Sequence, residues 1–181
     1  MKNLNPVTTH LALHPELEFC SREVFLPLGL DCSEVVPDPE AREYAGHTLR
    51  LGTKQVVFRV AKTTPTKAGQ FVTLWQRSVN GPIRPFGEAG RYGLFLVAAR
   101  HDERRGLFIF SAEALEGAGV LSVAGREGKR AFRLYSPWDT DLNRQAQRTQ
   151  RWQAEHYLDL PLGEADLAST GRARTLFSAV R

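Results

Sequence analysis

The sequence is poor in the residues from which compact reactive sites are built. It holds two cysteines, Cys20 and Cys32, with no CxxC pair and no obvious metal partner. Both are read as free thiols that pack in a reducing compartment, a disulfide across the short span being the alternative. The five histidines, at 10, 14, 47, 101 and 156, are scattered. His10 and His14 have i, i+4 spacing, but Pro15 follows and no carboxylates cluster nearby, so no metal site is expected there. Neither cysteine has a histidine beside it, which argues against a thiol nucleophile. GxSxG, P-loop and GxGxxG motifs are absent, so neither a nucleophile elbow nor a nucleotide-binding glycine loop is indicated. No cofactor is expected. No apolar run approaches the ~20 residues of a membrane span. The first residues lack the basic start, apolar centre and cleavage site of a signal peptide, so a cytoplasmic location is expected.

Cations are plentiful, and they are unevenly spread. The formal net charge is +4, and 19 of the 24 cations are arginine. Residues 1–50 carry four cations against eight carboxylates; the remainder carries 20 against 12. Between residues 54 and 151 there are 17 cations and 8 carboxylates. Arginine suits bidentate contact with phosphate, and asymmetry of this kind points to a polyanionic partner.

At 181 residues, 42% of them apolar, the chain is long enough for one domain with a real core. Residues 1–14 read as a flexible tail, 15–160 as the domain, and 161–181 as a loose C-terminal tail. Pro15 opens a helix with Leu17, Val24, Phe25 and Leu28 on its apolar face, closed by Pro27-Leu28-Gly29. The stretch from Asp31 to His47 is acidic and turn-rich, with "PEAREY" forming one or two helical turns. From Leu49 the period changes to that of strands: "TLRLG", "QVVFRVAK", "GQFVTLWQRSV", then "GLFLVAARHD" and "GLFIF" as a hairpin turning at 103–106. Ser111 caps a short helix, and "KRAFRLYSPW" is a late strand. Asp139 or Asp141 then caps a helix over "DLNRQAQRTQRWQAEHYL". The fold class is α+β: a mainly antiparallel sheet or open barrel with an N-terminal helix, one short inserted helix and a C-terminal helix.

The run "FRVAKTTPTKAGQFVTLWQR", followed by "GLFIF", "GKRAFRLYSPWD" and "QAQRTQRWQAEHY", resembles the MepB family of bacterial proteins over about residues 40–157. That family takes its name from an association with multidrug-efflux genes. The resemblance implies a fold and a set of surface residues, and it carries no reaction. "AKTTPTKAGQFVTLW" is also similar in pattern to a segment of DNA-binding pseudobarrels, the fold of some restriction-enzyme effector domains, where a Lys/Thr-rich loop feeds a glycine and then a strand.

Three groups of residues could act on a ligand. The loop after Val60 carries Lys62, Thr63, Thr64, Thr66, Lys67 and Gln70, stiffened by Pro65 and turned at Gly69. Such donors suit the phosphates and sugars of a nucleic acid, DNA or RNA; equally, they could satisfy the hairpin's own backbone. The tryptophans lie near arginines in sequence, and Trp138, after Ser136-Pro137, is the best candidate for stacking. Arg144, Arg148 and Arg151 share one face of the last helix and extend the basic surface of Arg130 and Arg133. Gln145, Gln147, Gln150 and Gln153 interleave them. The expected function is non-enzymatic binding of a nucleic-acid backbone. Two alternatives remain. Glu127-Gly128-Lys129 has the (D/E)-x-K form of a Mg²⁺-dependent nuclease, with Asp102, Glu103 or Asp38 as the preceding acid. The chain could instead be an interaction module for an acidic protein.

Overall fold

The structure, a computed structural model, describes residues 13–78, 80–87, 91–161 and 167–178. Helix α1 (Pro15–Cys20) begins with proline in its first turn, and the His14 ring accepts from the Glu16 backbone N–H at 3.2 Å. A π-helical turn continues it to Phe25. The strands are β1 (Cys32–Pro37), β2 (His47–Leu51), β3 (Lys54–Val60), β4 (Lys62–Thr64), β5 (Lys67–Thr73), β6 (Trp75–Arg77), β7 (Ile83–Pro85), β8 (Leu94–His101), β9 (Arg104–Ser111), β10 (Ala131–Leu134) and β11 (Tyr157–Leu160). Helix α2 (Ala112–Gly117) follows β9, α3 (Arg144–Ala154) follows β10, and α4 (Leu167–Leu176) lies near the end.

The strands form an open sheet of six in the order β1-β2-β3-β8-β9-β11, a sheet of three, β10-β5-β4, and the β6-β7 pair. All pairings are antiparallel except β3 with β8. The crossover that a parallel pair requires is here made of β4 to β7, so the loop of interest is an excursion between two central strands. The α+β class holds. The barrel does not: the sheets stay open, each with free outer strands.

The central sheet is buried on both faces, as β8 shows most plainly. Leu94, Leu96 and Ala98 join one apolar cluster and Phe95, Val97 and Ala99 the other. The first cluster is closed by Leu17, Val24 and Phe25 from the N-terminal helix and by Ala173 and Phe177 from the C-terminal end. The second is closed by Val72 of β5 and Leu74 just after it, Phe132 and Leu134 of β10, and Leu115 of α2. Each such side chain, fully removed from water, contributes about 1.5–3 kcal/mol.

Five expectations change. Residues 32–37 are a strand, not a turn-rich stretch, because they pair with β2 around a bulge between Ser33 and Val36. The β8–β9 turn lies at Asp102-Glu103, with Asp102 at φ 52°, a conformation aspartate tolerates. Gly106 falls inside β9 instead, where a Cβ would collide with the Tyr157 ring. Asn143, not Asp139 or Asp141, caps α3, accepting from Ala146 N–H at 2.9 Å. Asp139 accepts from the Ser136 backbone at 2.7 Å, and Asp141 takes φ 54°. The helix stops at Ala154, so "YL" opens β11. Within the expected loose tail, Leu167–Leu176 is helical, and Phe177 meets the Phe25 ring edge-on at 6.0 Å. Arg172 donates to the carbonyls of Ala154, Glu155 and Tyr157, satisfying the end of α3 and the edge of β11. Residues 1–12 of the expected N-terminal tail lie outside the described residues.

Candidate nucleic-acid interface

The hairpin of β4 and β5 is held by its neighbour β10. Arg133 reaches across to donate to the carbonyls of Ala68 (2.9 Å) and Gly69 (3.1 Å) and to the Thr64 hydroxyl. Gly69, at φ 72°, lets the Tyr135 ring lie against the backbone; a Cβ there would sit 2.6 Å from the ring. The loop is therefore rigid for a reason the sequence only half shows. Pro65 stiffens it locally, and an arginine about 70 residues away ties its ends.

Other expected donors are drawn inward. Gln70 is 4% exposed, and its carboxamide donates to the Thr63 hydroxyl (3.2 Å) and the Arg100 carbonyl (2.9 Å). Lys62 turns away from Lys67, toward Glu43 (3.4 Å) and the Tyr44 ring (4.9 Å). Thr66 and Lys67 are exposed at the tip, and neither side chain has a partner among the described residues.

Helix α3 packs on the same small sheet. Ala146 and Gln153 are buried, and Gln153 behaves as a surrogate strand. Its carboxamide donates to the Arg133 carbonyl (2.9 Å) and accepts from the Tyr135 N–H (2.8 Å), the pairing that β10 would otherwise seek at its free edge. Gln150 donates to the carbonyls of Ser136 (2.7 Å) and Asp139 (3.1 Å), and Gln147 to that of Leu142 (2.8 Å). Of the four glutamines, Gln145 alone has an uncommitted carboxamide among the described residues. Arg144, Arg148 and Arg151 are exposed on the face opposite Ala146, with no carboxylate within ion-pair reach among the described residues.

Between β10 and α3 runs a groove of about 470 Å³. Lys67, Lys129 and Arg133 line it on the sheet side, and Asn143, Gln145 and Thr149 on the helix side. No aspartate or glutamate lines it. The loop tip and one flank of the helix thus share one groove, while Arg144, Arg148 and Arg151 stand on the opposite face of α3 and line none of it; Arg151 lines a separate groove with Asp139 and Asp141.

The remaining candidates lie elsewhere. Arg130 pairs with Glu127 at 2.8 Å and leans on the Ile83 carbonyl (3.4 Å), toward β7. Trp138 packs edge-on against Tyr157 at 5.7 Å, and its indole N–H is buried without an acceptor among the described residues. It lines a different groove, with His101, Asp102, Glu103 and Asp139. Burial raises the Asp139 carboxyl above its ordinary pKa, against the Ser136 hydrogen bond. The acids of the nuclease alternative do not gather: Asp102 lines this groove, Glu127 lines another beside Arg126, and Asp38 is bound to Arg59. Among the described residues no three His, Cys, Asp or Glu side chains are placed to hold a metal together.

Sequence charge also redistributes on folding. The acidic N-terminal part supplies Glu34 to Arg50, Asp38 to Arg59, Glu40 to Arg77, Glu43 to Lys62 and Glu16 to Arg100. Buried Arg59 is the extreme case: 1% exposed, 2.7 Å from Asp38, its pKa lowered by burial against that attraction. Part of the asymmetry along the chain is therefore used in internal pairing, and Lys67, Lys129, Arg144, Arg148 and Arg151 are among the cations left without a carboxylate in ion-pair reach among the described residues. No helix among the described residues is long and apolar enough to cross a membrane.

These features define an α+β protein with an open six-stranded sheet, a second small sheet inserted in its parallel crossover, and a carboxylate-free basic groove under a glutamine-anchored helix. A MepB-like family model matches residues 38–159, and the chain belongs to that family. It is similar to a solved structure described as "Crystal Structure of MepB", at 30% identity and TM-score 0.70, over 73% of this chain and 89% of that one. Comparison with curated proteins gives no match.

Proposed function

We propose that the protein binds nucleic acid non-enzymatically, its phosphates lying along the β10–α3 groove. The observation that carries this reading is the groove's lining, three cations with no carboxylate. A polyanion passing over it meets no repulsion and displaces no internal ion pair. Lys67 and Lys129 are the direct contacts; Arg144, Arg148 and Arg151, on the far face of α3, add only to the long-range positive field. Thr64 and Arg133 hold the loop that presents Lys67. Arg130 and Trp138 take part only if the strand continues past the groove in either direction.

Lys67→Ala with Lys129→Ala tests this. Both side chains are exposed, so the melting temperature should stay unchanged. Oligonucleotide affinity should fall, and the slope of log K against log salt should shrink by about 1.4–1.8, two contacts' worth. Unchanged affinity and slope would remove the groove from the interface. Failure of the wild-type chain to retain any oligonucleotide at ~50 mM salt would overturn the reading in favour of an acidic protein partner.

A further inference from the structure

The groove is more than a charged trough. Behind its lysines the floor is apolar: Ala118, Val120, Ala131 and Phe132 line it, and Trp152 and Tyr135 add two partly buried rings. A phosphate backbone, hydrophilic along its whole length, gains nothing from such a floor. A planar apolar body with an anionic tail does, and its size fits a cavity of about 470 Å³. Each ring is fixed from behind. Tyr135 lies against the Cα of Gly69, and Trp152 against Phe110 at 5.5 Å. On the opposite wall the Gln145 carboxamide has a donor and an acceptor with no partner among the described residues. Asn143 spends its oxygen on capping α3 and keeps its amide hydrogens.

We propose that this groove is a nucleotide subsite, taking one purine nucleoside phosphate unit with its base on the Tyr135–Trp152 floor, its edge at Gln145 and its phosphate at Lys67 and Lys129. This rests on the nucleic-acid reading and deepens it: one position of a bound chain is held by its base as well as its charge. Purines are favoured because the larger ring covers more of the floor, and stacking on an aromatic platform is a substantial part of such binding. Gln145 matches an edge that both donates and accepts, as adenine's does.

Titration of the full chain with AMP, CMP and ribose 5-phosphate, followed by tryptophan fluorescence and by amide chemical shifts, tests the subsite. AMP should bind about tenfold more tightly than ribose 5-phosphate, which carries the same phosphate without a base, with CMP between them. Gln145→Ala should narrow the AMP–CMP gap, and Trp152→Phe, which keeps a ring in the core, should weaken AMP while leaving ribose 5-phosphate unchanged. Equal binding of AMP and ribose 5-phosphate would overturn the base subsite. If salt-dependent oligonucleotide binding persisted alongside that result, the nucleic-acid reading would stand without it. AMP binding in a chain that retains no oligonucleotide would instead sink the polymer reading and leave a mononucleotide site.

Discussion

Two regions of this molecule treat positive charge in opposite ways. Around the 3₁₀ turn Pro39–Tyr44, cations are met one by one with carboxylates: Arg59 with Asp38, Arg77 with Glu40, Lys62 with Glu43. Around β10 and α3 the cations, Arg130 with Glu127 excepted, are either left without acids among the described residues or, like Arg133, tied to backbone carbonyls. The first arrangement makes charge a part of the fold. The second leaves it available to a partner. Similar residue types thus do structural work on one flank and stand ready for a ligand on the other, and what separates them is whether the acidic N-terminal segment folds over them.

The most severe way to break the comparison is on the structural flank. Asp38→Ala leaves Arg59 buried without its counter-charge, and its Nε already has no partner. The expected loss is about 3–5 kcal/mol of stability, read by denaturant unfolding. Pairing it with Arg59→Met should recover much of that loss, since two matched charges removed together leave no orphan. If Asp38→Ala cost no more than the loss of an exposed pair, Arg59 would be reaching water after all.

Next comes Gln153, which joins the two regions. Gln153→Ala deprives the β10 edge of one donor and one acceptor in a buried place. A cost of about 2–4 kcal/mol is expected. Gln153→Glu is the sharper variant. Its ionised carboxylate, fully buried and facing the Arg133 carbonyl, should cost at least as much as alanine at high pH, and the protonated acid, which can donate there, should approach wild type on acidification.

How much of this was readable in the sequence follows from the range of each interaction. Strands β2, β3, β5, β8, β9 and β10 and the Ser111 cap were legible because alternation and capping are local. β11 was not: its four residues continue directly from helix α3 and become a strand only because β9 offers an edge. Lys67 was legible as an exposed cation because it sits at the tip of a loop stiffened by proline. Gln70 was misread from the same stretch, since its burial depends on the Arg100 carbonyl 30 residues away. The glutamines of α3 offered no clue that three would be spent on backbone carbonyls. The groove itself had no signature, because Lys67, Lys129 and Gln145 come from three separate segments. An available hint was the pair of apolar stretches that flank Lys129, too rich for a solvated loop.

Smaller again is the effect of pH on the wall behind the groove. His156 packs against Trp152 and Phe110, and burial lowers its pKa from the ordinary 6.5, with Arg172 adding to the shift. The unfolded chain therefore takes up the proton first. This stability is fully present above about pH 6.5 and is lost as pH falls from there through the folded pKa. His156→Phe, which keeps the aromatic contact, should flatten the melting temperature over that interval while leaving the slope at neutral pH untouched. An unchanged slope below pH 6.5 would assign the acid response to another group.

The smallest expected effect is also the one that fixes the border between the two regions. Lys62 stands at it, an exposed cation facing an exposed Glu43 across 3.4 Å. An exposed pair of that length contributes little to folding, so Glu43→Gln should leave the melting temperature within error. Its value lies in binding. With Glu43 intact, Lys62→Ala should hardly change oligonucleotide affinity, because the lysine's charge is already answered. In the Glu43→Gln background the lysine is released, and Lys62→Ala should then remove about 0.7–0.9 from the salt slope. If Lys62→Ala already removes that much in the wild-type background, the phosphate path runs over the β4 edge as well as the groove. Glu43 would then not be answering the charge of Lys62 in binding.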